Sequence, residues 1–135
     1  SQPYSPLVMD HFFNPRHAHR MQDPDAVGRA GRPDRGPFLV LYLKLADPGD
    51  RIAAASFQTY GCAPAIASGS LLAERLPGLT LAEAAAWDAD AIETALGGFP
   101  PHKRVCATLA AEALVQSLAQ LQGRQNRDQQ ADRTA

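Results

Sequence analysis

Two cysteines have the most distinctive chemistry of any residues in this sequence. Cys62 follows a glycine in "TYGCAPAIASGS", and Cys106 lies in "HKRVCATLAAEAL". Both are expected at the start of a helix, where the helix dipole and the unpaired backbone amides favour a thiolate over a thiol. A thiolate attacks persulfides and ligates metal ions, so the pair is a candidate for sulfur chemistry or metal binding.

The spacing of the two cysteines leaves other interpretations open. A lone buried cysteine commonly acts as a small hydrophobic side chain, and the separation of these two matches no metal-binding motif. If the fold brings the two thiols together, they could also close a disulfide under oxidation. Two cysteines are few for a disulfide-stapled secreted domain, so we expect thiols in a reducing compartment.

Two predicted strands lead up to Cys62. The segment "FLVLYLKL" alternates, which predicts a strand with a buried leucine face. The turn sequence "ADPGD" joins it to "RIAAASFQT", a second strand on which Ile52 and Phe57 are expected to anchor opposite faces. Before them, residues 17–37 are rich in proline, glycine and arginine, which indicates a long loop with at most one short strand and a candidate site wall.

Helices are predicted on both sides of these strands. Ser5 is a suitable N-cap for the first helix, and Thr80 with Glu83 has the spacing of a capping box. The predicted helices cover residues 6–13, 64–76, 88–96 and about 104–121.

The last helix is amphipathic and precedes a polar segment. Its apolar stripe should face the core, whereas Glu112, Gln116 and Gln120 are placed on the solvent face. Residues 122–135 have almost no apolar content and are predicted to be a disordered tail after one domain over residues 1–121. Strands followed by helices predict an α+β fold, a small antiparallel sheet of about three strands with helices packed on one face.

Composition excludes several classes of protein. A chain of 135 residues that is 45% hydrophobic can bury an ordinary core, and a net charge of -1 lacks the basic surplus of nucleic-acid-binding proteins. No apolar run approaches the roughly 18 residues of a membrane span, and no signal-peptide pattern opens the chain, so we expect a cytoplasmic protein without a membrane partner. Neither G-x-S-x-G nor G-x-x-x-x-G-K-[ST] occurs, and we do not expect an enzyme.

Three segments resemble the IscU/NifU N-terminal type of iron-sulfur cluster assembly scaffold. "VMDHFFNPRH" is similar to the family's DHxxNPRN opening, "FQTYGCAPAIASGSLL" to its TYGCxxxIASSS segment, and "FPPHKRVCATLAAEAL" to its LPPxKxHCSxLAEDA segment. The resemblance covers about Tyr4 to Leu121 and implies an IscU/NifU-like fold. It also implies a protein that receives sulfur from a cysteine desulfurase and assembles a [2Fe-2S] cluster on three cysteines with help from an aspartate or histidine. Such scaffolds pass the cluster to apo-protein recipients with a DnaK-type chaperone, and often hold zinc as isolated.

The family's ligand set is incomplete in this divergent chain. The pattern GxPxCGD falls on "GRPDRGP", which places Arg35 at the first cysteine and Pro37 at the aspartate, while Val105 replaces the histidine. Cys62 and Cys106 remain as the candidate cofactor and metal ligands. Even an open catalytic zinc site keeps three protein ligands. We therefore expect iron, zinc or a cluster to be bound weakly, shared across a dimer, or not bound.

Other residues could modify this site. If its loop folds as in the relatives, Arg35 points its cation at the cysteines, where it would stabilise thiolate and repel Fe²⁺ or Zn²⁺; alternatively it is a solvated loop arginine. His102 and Asp34 are weaker candidate ligands, and a solvent-exposed loop histidine is the simpler interpretation of His102. For His11, in the opening motif, packing is the simpler explanation.

Two functions from different classes follow. The first is a scaffold-like protein in which Cys62 and Cys106 accept sulfur, or in which two chains of a homodimer supply four thiolates to one [2Fe-2S] cluster. The alternative is an adaptor or regulator that docks to the cysteine desulfurase or the chaperone and holds no cluster. Pro100, Pro101 and Lys103 in "FPPHK" resemble the family's chaperone-recognition segment and are candidate partner-binding residues, although a Pro-Pro loop is more commonly a rigid connector.

Overall fold

A three-stranded sheet and a set of helices form the domain. The computed structural model describes residues 4–46 and 49–134. Its strands are β1 (Ala26–Gly31), β2 (Phe38–Leu45) and β3 (Ile52–Tyr60). Its helices are α1 (Pro6–Phe13), α2 (Ala63–Arg75), α3 (Leu81–Ala84), α4 (Ala89–Ala95) and α5 (Val105–Thr134), with a 3-10 helix at Pro101–Lys103. The predicted α+β fold is confirmed.

The sheet is antiparallel in the order β1-β2-β3. Alternation along the central strand β2 buries Leu39, Leu41 and Leu43 completely, as predicted, and leaves Leu45 half-buried. Helix α5 packs against β1 and β2, and α2 packs against β3. The core therefore lies between the leucine face of the sheet and these two helices. The predicted turn "ADPGD" includes residues 47–48, which lie outside the described residues.

A register shift in the β2-β3 pair corrects one sequence prediction. Lys44 pairs with Ala54, but Leu45 pairs with Ile52, which leaves one additional residue on β3. Such a bulge reverses the alternation of side chains beyond it. Ile52 therefore lies opposite Leu45, and Phe57 opposite Leu41, on the same face of the sheet. The prediction that Ile52 and Phe57 anchor opposite faces is wrong for this reason.

Strand β1 forms within the segment predicted to be mostly loop. Two features of α5 hold it in place. The backbone of α5 passes so close to Gly28 that a Cβ there would lie 1.8 Å from the carbonyl oxygen of Ala113. Gln120 accepts a hydrogen bond from the Val27 amide (3.0 Å) and donates one to the Val27 carbonyl (2.8 Å), while Gln116 accepts one from the Arg29 amide (2.6 Å). Side chains of α5 thus provide hydrogen-bond partners for backbone groups on the outer edge of β1.

The helices begin where capping chemistry predicts. Ser5 Oγ accepts the Val8 amide hydrogen bond at the start of α1, and Thr80 with Glu83 forms a complete capping box at α3. Asp88 caps α4 by accepting a hydrogen bond from the Ala91 amide.

Within the described residues, no helix is both long and apolar enough to cross a membrane.

Helix α5 continues beyond its predicted end. The sequence predicts that the helix stops near residue 121 and that residues 122–135 are disordered, whereas the helix runs to Thr134. Arg124 is part of the folded structure, since its guanidinium lies 2.7 Å from the Asp25 carboxylate. Gln, Arg and Ala are good helix formers, so a polar sequence without proline can extend a helix whose start is already packed. The predicted boundary of the folded part at residue 121 is therefore too early, and residue 135 lies outside the described residues.

Candidate sulfur and metal site

Cys62 occupies the junction between β3 and α2. It is the N-cap residue of α2, with φ -84° and ψ 177°, and its carbonyl accepts the amide hydrogen bonds of Ala65 (3.0 Å) and Ile66 (3.1 Å). The extended backbone conformation is normal for an N-cap residue. Because the Cys62 side chain makes no cap hydrogen bond, its thiol is available for other contacts. The side chain is half-buried and therefore reachable from solvent.

Cys106 approaches the same point from the start of α5. The 3-10 helix turns the chain into α5, and Cys106 is the second residue of that helix. Its side chain is only 5% exposed, whereas the preceding Val105 is 63% exposed. The sequence prediction that both cysteines lie at helix N-termini is confirmed.

The two sulfur atoms are in contact. Cys62 Sγ lies 3.2 Å from Cys106 Sγ, and both residues are free thiols. A disulfide bond would place the sulfurs at about 2.05 Å, so the observed distance is that of two unbonded thiols, either of which could donate a hydrogen bond to the other. The fold thus brings together the two residues that the sequence singled out.

Burial opposes ionisation of Cys106. Removal from water and, to a smaller degree, the neighbouring Cys62 raise the pKa of the Cys106 thiol to about 12, against a partial opposing effect of Lys103. The prediction that the helix N-terminus favours a Cys106 thiolate is therefore wrong, because the cost of burying the charge exceeds the stabilisation by the helix dipole. Cys106 is a thiol at neutral pH, and Cys62 is the accessible member of the pair.

Lys103 is the cation whose charge acts on Cys106. It ends the 3-10 helix, one turn before Cys106, and its side chain is half-buried. The sequence assigned Lys103 to partner contact alone and missed its proximity to the thiols. Its position three residues before Cys106, at a predicted helix start, was the signal that could have indicated it.

Arg35 and Asp34 lie on an exposed part of the loop between β1 and β2. The Arg35 amide donates a hydrogen bond to the Arg32 carbonyl (3.0 Å), and the Arg32 guanidinium pairs with Asp34 at 3.2 Å. Arg35 is exposed and is not among the charges that act on Cys106. The hypothesis that Arg35 stabilises both thiolates is therefore wrong for Cys106. The loop reaches the site instead through Pro37, whose Cβ lies 3.7 Å from where a side chain at Gly61 would begin.

The cysteine pair has few other potential ligands. His102 is exposed on the 3-10 helix, as the simpler interpretation of this residue predicts. Among residues 4–46 and 49–134, no group of three or more His, Cys, Asp or Glu side chains is arranged to hold a metal ion. The described structure therefore offers two sulfur ligands at this place.

Exposed apolar side chains flank the pair in the chain. Tyr60, two residues before Cys62, is 68% exposed and stacks on Phe38 with ring centroids 6.3 Å apart and an interplanar angle of 16°. Val105 lies beside Cys106. An exposed apolar side chain therefore lies within two residues of each cysteine in the chain.

The opening motif forms a separate buried cluster. His11 is 4% exposed, and its Nδ1 lies 2.7 Å from Ser70 Oγ, which also accepts the Arg16 amide hydrogen bond (2.9 Å). The Arg16 guanidinium pairs with Asp10 at 2.7 Å and Glu74 at 3.0 Å. These contacts join α1 to α2. His11 is therefore part of the packing between the two helices, which is the simpler explanation that the sequence offered for it.

Comparisons with known proteins agree with this geometry. A family model described as the NifU-like N terminal domain matches residues 3–128. The iron-sulfur cluster assembly scaffold protein IscU 1 of Archaeoglobus fulgidus is 45% identical over 111 residues, which cover 82% of this chain and 71% of that protein. The IscU scaffold protein of Aquifex aeolicus is 33% identical over 130 residues, covering 96% of this chain and 83% of the relative.

A solved structure shares the fold. The crystal structure of a candidate iron-sulfur cluster assembly scaffold protein for the SUF system from Fervidobacterium islandicum superposes with a TM-score of 0.68. The two sequences are 23% identical, and the match covers 85% of this chain and 96% of the other. This likeness supports the architecture of sheet and helices.

Proposed function

The chain belongs to the NifU-like N-terminal domain family, and we propose that it is an iron-sulfur cluster assembly scaffold that works through Cys62 and Cys106. The observation that carries the proposal is the contact of the two sulfurs, 3.2 Å apart, at the meeting point of two helix N-termini. The role is that of a carrier rather than an enzyme. A cytoplasmic location remains a prediction.

The two cysteines are placed so that they could supply two of the four ligands of a tetrahedral metal ion. A tetrahedral metal with metal–sulfur bonds of about 2.3 Å separates two thiolates by about 3.8 Å. The sulfurs of Cys62 and Cys106 would need to part by roughly 0.6 Å from their observed separation of 3.2 Å. Two ligands complete only half of a tetrahedral shell, so one chain should bind iron or zinc weakly.

Two chains together supply a full set of sulfur ligands. A [2Fe-2S] cluster is commonly held by four thiolates, two on each iron. Because Cys62 and Cys106 of one chain are close enough to share an iron, each protomer of a dimer would hold one iron of the cluster. The exposed Tyr60 and Val105 beside the pair would then lie near the dimer contact.

Sulfur for the cluster would enter at Cys62. This thiol is half-buried and reachable, whereas Cys106 is almost completely enclosed. A persulfide on a cysteine desulfurase could therefore transfer its outer sulfur to Cys62 first.

We further propose that a DnaK-type chaperone binds at Pro100, Pro101 and Lys103. Pro101 is exposed, Pro100 and Lys103 are half-buried, and the segment precedes Cys106 in the chain, so a partner could reach it beside the site.

Anaerobic reconstitution tests the scaffold role. Reduced protein supplied with ferric iron and sulfide should give a coloured dimer with two irons per two chains, detected by absorbance and size-exclusion chromatography. A Cys62→Ser variant should stay colourless and monomeric, while Thr59→Ser, which leaves both thiols in place, should behave as the parent. A colourless monomer from the parent protein would contradict the shared-cluster proposal.

An adaptor is the second candidate function. The observation that favours it is that the described residues supply no third ligand near the cysteines. As an adaptor, the protein would bind the desulfurase or the chaperone and modulate a scaffold with a complete ligand set. A Cys62→Ser, Cys106→Ser double variant that still alters desulfurase activity as the parent does would support the adaptor, whereas loss of that effect would support the scaffold.

A further inference from the structure

Cys62 and Cys106 are an unequal pair of thiols in direct contact. Cys62 is half-buried, Cys106 is 5% exposed, and their sulfurs are 3.2 Å apart. A reagent from solution therefore meets Cys62 first, while Cys106 can react with what has formed on Cys62. This is the arrangement of an attacking thiol with a resolving thiol behind it.

We propose that the two cysteines act as an internal dithiol reductant that converts sulfur delivered to Cys62 into free sulfide. The inference rests on the proposed function, because it takes Cys62 as the sulfur acceptor. It extends that function by making sulfide release a property of this chain alone.

The reaction proceeds in two steps that balance. In the first, the Cys62 sulfur attacks the outer sulfur of a donor persulfide, so that Cys62 carries a persulfide and the donor leaves as a thiol. In the second, the Cys106 thiol passes its proton to the outer sulfur as Cys106 Sγ attacks Cys62 Sγ, a sulfur–sulfur bond forms between the cysteines, and the bond from Cys62 to its outer sulfur breaks. The outer sulfur leaves with the electron pair and is released as hydrogen sulfide, taking up the protons of the persulfide and of the Cys106 thiol. Two thiol sulfurs are oxidised to a disulfide, and one sulfane sulfur is reduced.

The geometry suits the second step. Disulfide formation needs the sulfurs to approach by about 1.2 Å from their present contact. The Cys62 side chain makes no cap hydrogen bond to α2, so rotation of its thiol breaks none. Since the two sulfurs are in contact, a persulfide on Cys62 has a neighbouring thiol within reach before it meets a second protein.

The absence of further metal ligands beside the two cysteines, within the described residues, leaves their thiols free to react with sulfur. With a third and fourth protein ligand, two adjacent thiolates would be held by a metal ion, but the described residues offer no such group. After one turnover the disulfide must be reduced by a low-molecular-weight thiol, which regenerates both cysteines by exchange at the more accessible Cys62 sulfur. The oxidised pair cannot hold metal, so sulfide release and metal holding alternate.

A single-turnover experiment tests the inference. The reduced full chain is mixed anaerobically, with a chelator present, with one equivalent of a low-molecular-weight persulfide. Intact mass and released sulfide are then measured. We expect a product about 2 Da lighter than the reduced chain with about one equivalent of sulfide. Cys106→Ser and Cys106→Ala should both stop at a Cys62 persulfide about 32 Da heavier and release several-fold less sulfide.

The outcomes separate the inference from the proposed function. A parent protein that keeps a stable Cys62 persulfide would overturn the reductant role and leave Cys62 as a sulfur acceptor. If neither the parent nor the Cys106 variants take up sulfur, the acceptor role itself fails, and the inference fails with it. A Cys106 variant in which Cys62 forms a mixed disulfide with the organic part of the probe would also overturn the inference. In that case Cys62 has attacked the inner sulfur of the probe, and sulfide is released without any reaction between the two cysteines. The serine and alanine variants together guard against a folding defect at the buried position, which circular dichroism would report.

Discussion

At the scale of single residues, the environment of each thiol decides its chemistry. A helix N-terminus favours a thiolate by a modest amount, yet Cys106 is enclosed, and burial raises its pKa to about 12. Cys62, at the same kind of helix position, stays within reach of solvent. Two cysteines with similar sequence signals therefore differ in their access to solvent.

The raised pKa of Cys106 predicts a loss of stability in alkaline solution. In the unfolded chain the thiol ionises near pH 9, whereas in the folded chain it keeps its proton to about pH 12. Between these values the folded state binds more protons, so the free energy of unfolding should fall as pH rises from about 9 to 12. Denaturant unfolding at several pH values, compared with Cys106→Ala, measures this difference. Equal pH dependence of the parent and the variant would contradict it.

His11 predicts the opposite dependence in mild acid. Burial, and next the charge of Arg16, lower its pKa below 6.5 against the attraction of Glu74. The unfolded chain binds the proton more readily, so the free energy of unfolding should fall as pH drops below about 6.5. His11→Asn keeps a polar atom toward Ser70 but does not titrate, so its unfolding should lack this part of the acid dependence. If the two proteins lose stability in parallel between pH 7 and 5, the assignment to His11 is wrong.

At the scale of secondary-structure elements, close packing sets the limits on substitution. Gly69 of α2 lies against the ring of the buried Phe57, and a Cβ there would be 2.5 Å from a ring carbon. The family's IASSS pattern has a serine at this position, and the contact with Phe57 explains why a glycine fits here. Sequence patterns report the residue type, but the neighbour across the helix-sheet interface is known only from the structure.

Two helical glycines therefore predict changes of opposite sign. Alanine favours a helix by about 1 kcal/mol over glycine. At Gly123 of α5 the nearest atom to an added Cβ is an arginine nitrogen at 3.5 Å, so Gly123→Ala should stabilise the protein by a few tenths to about 1 kcal/mol. Gly69→Ala should destabilise it, since overpacking a core costs about 1–3 kcal/mol. Thermal and denaturant unfolding of the two variants provide the test, and equal effects would show that packing at Gly69 is relaxed.

The edge of β1 depends on glutamines of α5. Gln120 both donates to and accepts from the backbone of Val27. Gln120→Ala should lower the free energy of unfolding by about 1 kcal/mol, because two partly exposed hydrogen bonds are lost. Glu112→Ala on the same helix is the control and should change stability by less than about 0.5 kcal/mol. A similar small effect of both substitutions would mean that water replaces Gln120 at the strand edge.

At the scale of the whole molecule, the fold brings two distant helix starts together and leaves the rest of the family's ligand set unfilled. Pro37 lies next to Gly61, so the loop that would carry the missing ligands is already close to the cysteines. The scaffold architecture is therefore present, and we expect the number of ligands to limit metal binding.

Restoring ligands in this loop should restore metal binding. Arg35→Cys with Pro37→Asp would add two ligands beside Cys62 and Cys106, and the variant should retain about one zinc per chain through a mild chelator wash. The parent protein should lose its zinc under the same conditions. Arg32→Cys with Pro37→Asp is the matched control, since Arg32 pairs outward with Asp34 and its substitution should recover less metal. Elemental analysis of the three proteins measures the outcome, and equal zinc in all of them would show that the two cysteines alone suffice.

The sequence by itself determined the elements and the family. Alternation in "FLVLYLKL", the caps at Ser5 and Thr80, and the segment around Cys62 depend on residues close together in the chain, so local physical rules suffice to predict them. The low apolar content of residues 122–135 predicts disorder, but residues 122–134 are helical because they continue a helix whose start is packed.

Only the tertiary structure decided how the site works. The 3.2 Å contact of Cys62 and Cys106, the enclosure of Cys106 and the influence of Lys103 arise from packing between α2, α5 and the sheet. The bulge that places Ile52 on the same face as Phe57 is likewise set by the pairing of β3 with its neighbouring strand. Distances and burial of this kind depend on how elements pack, and sequence patterns, which describe one element at a time, do not contain them.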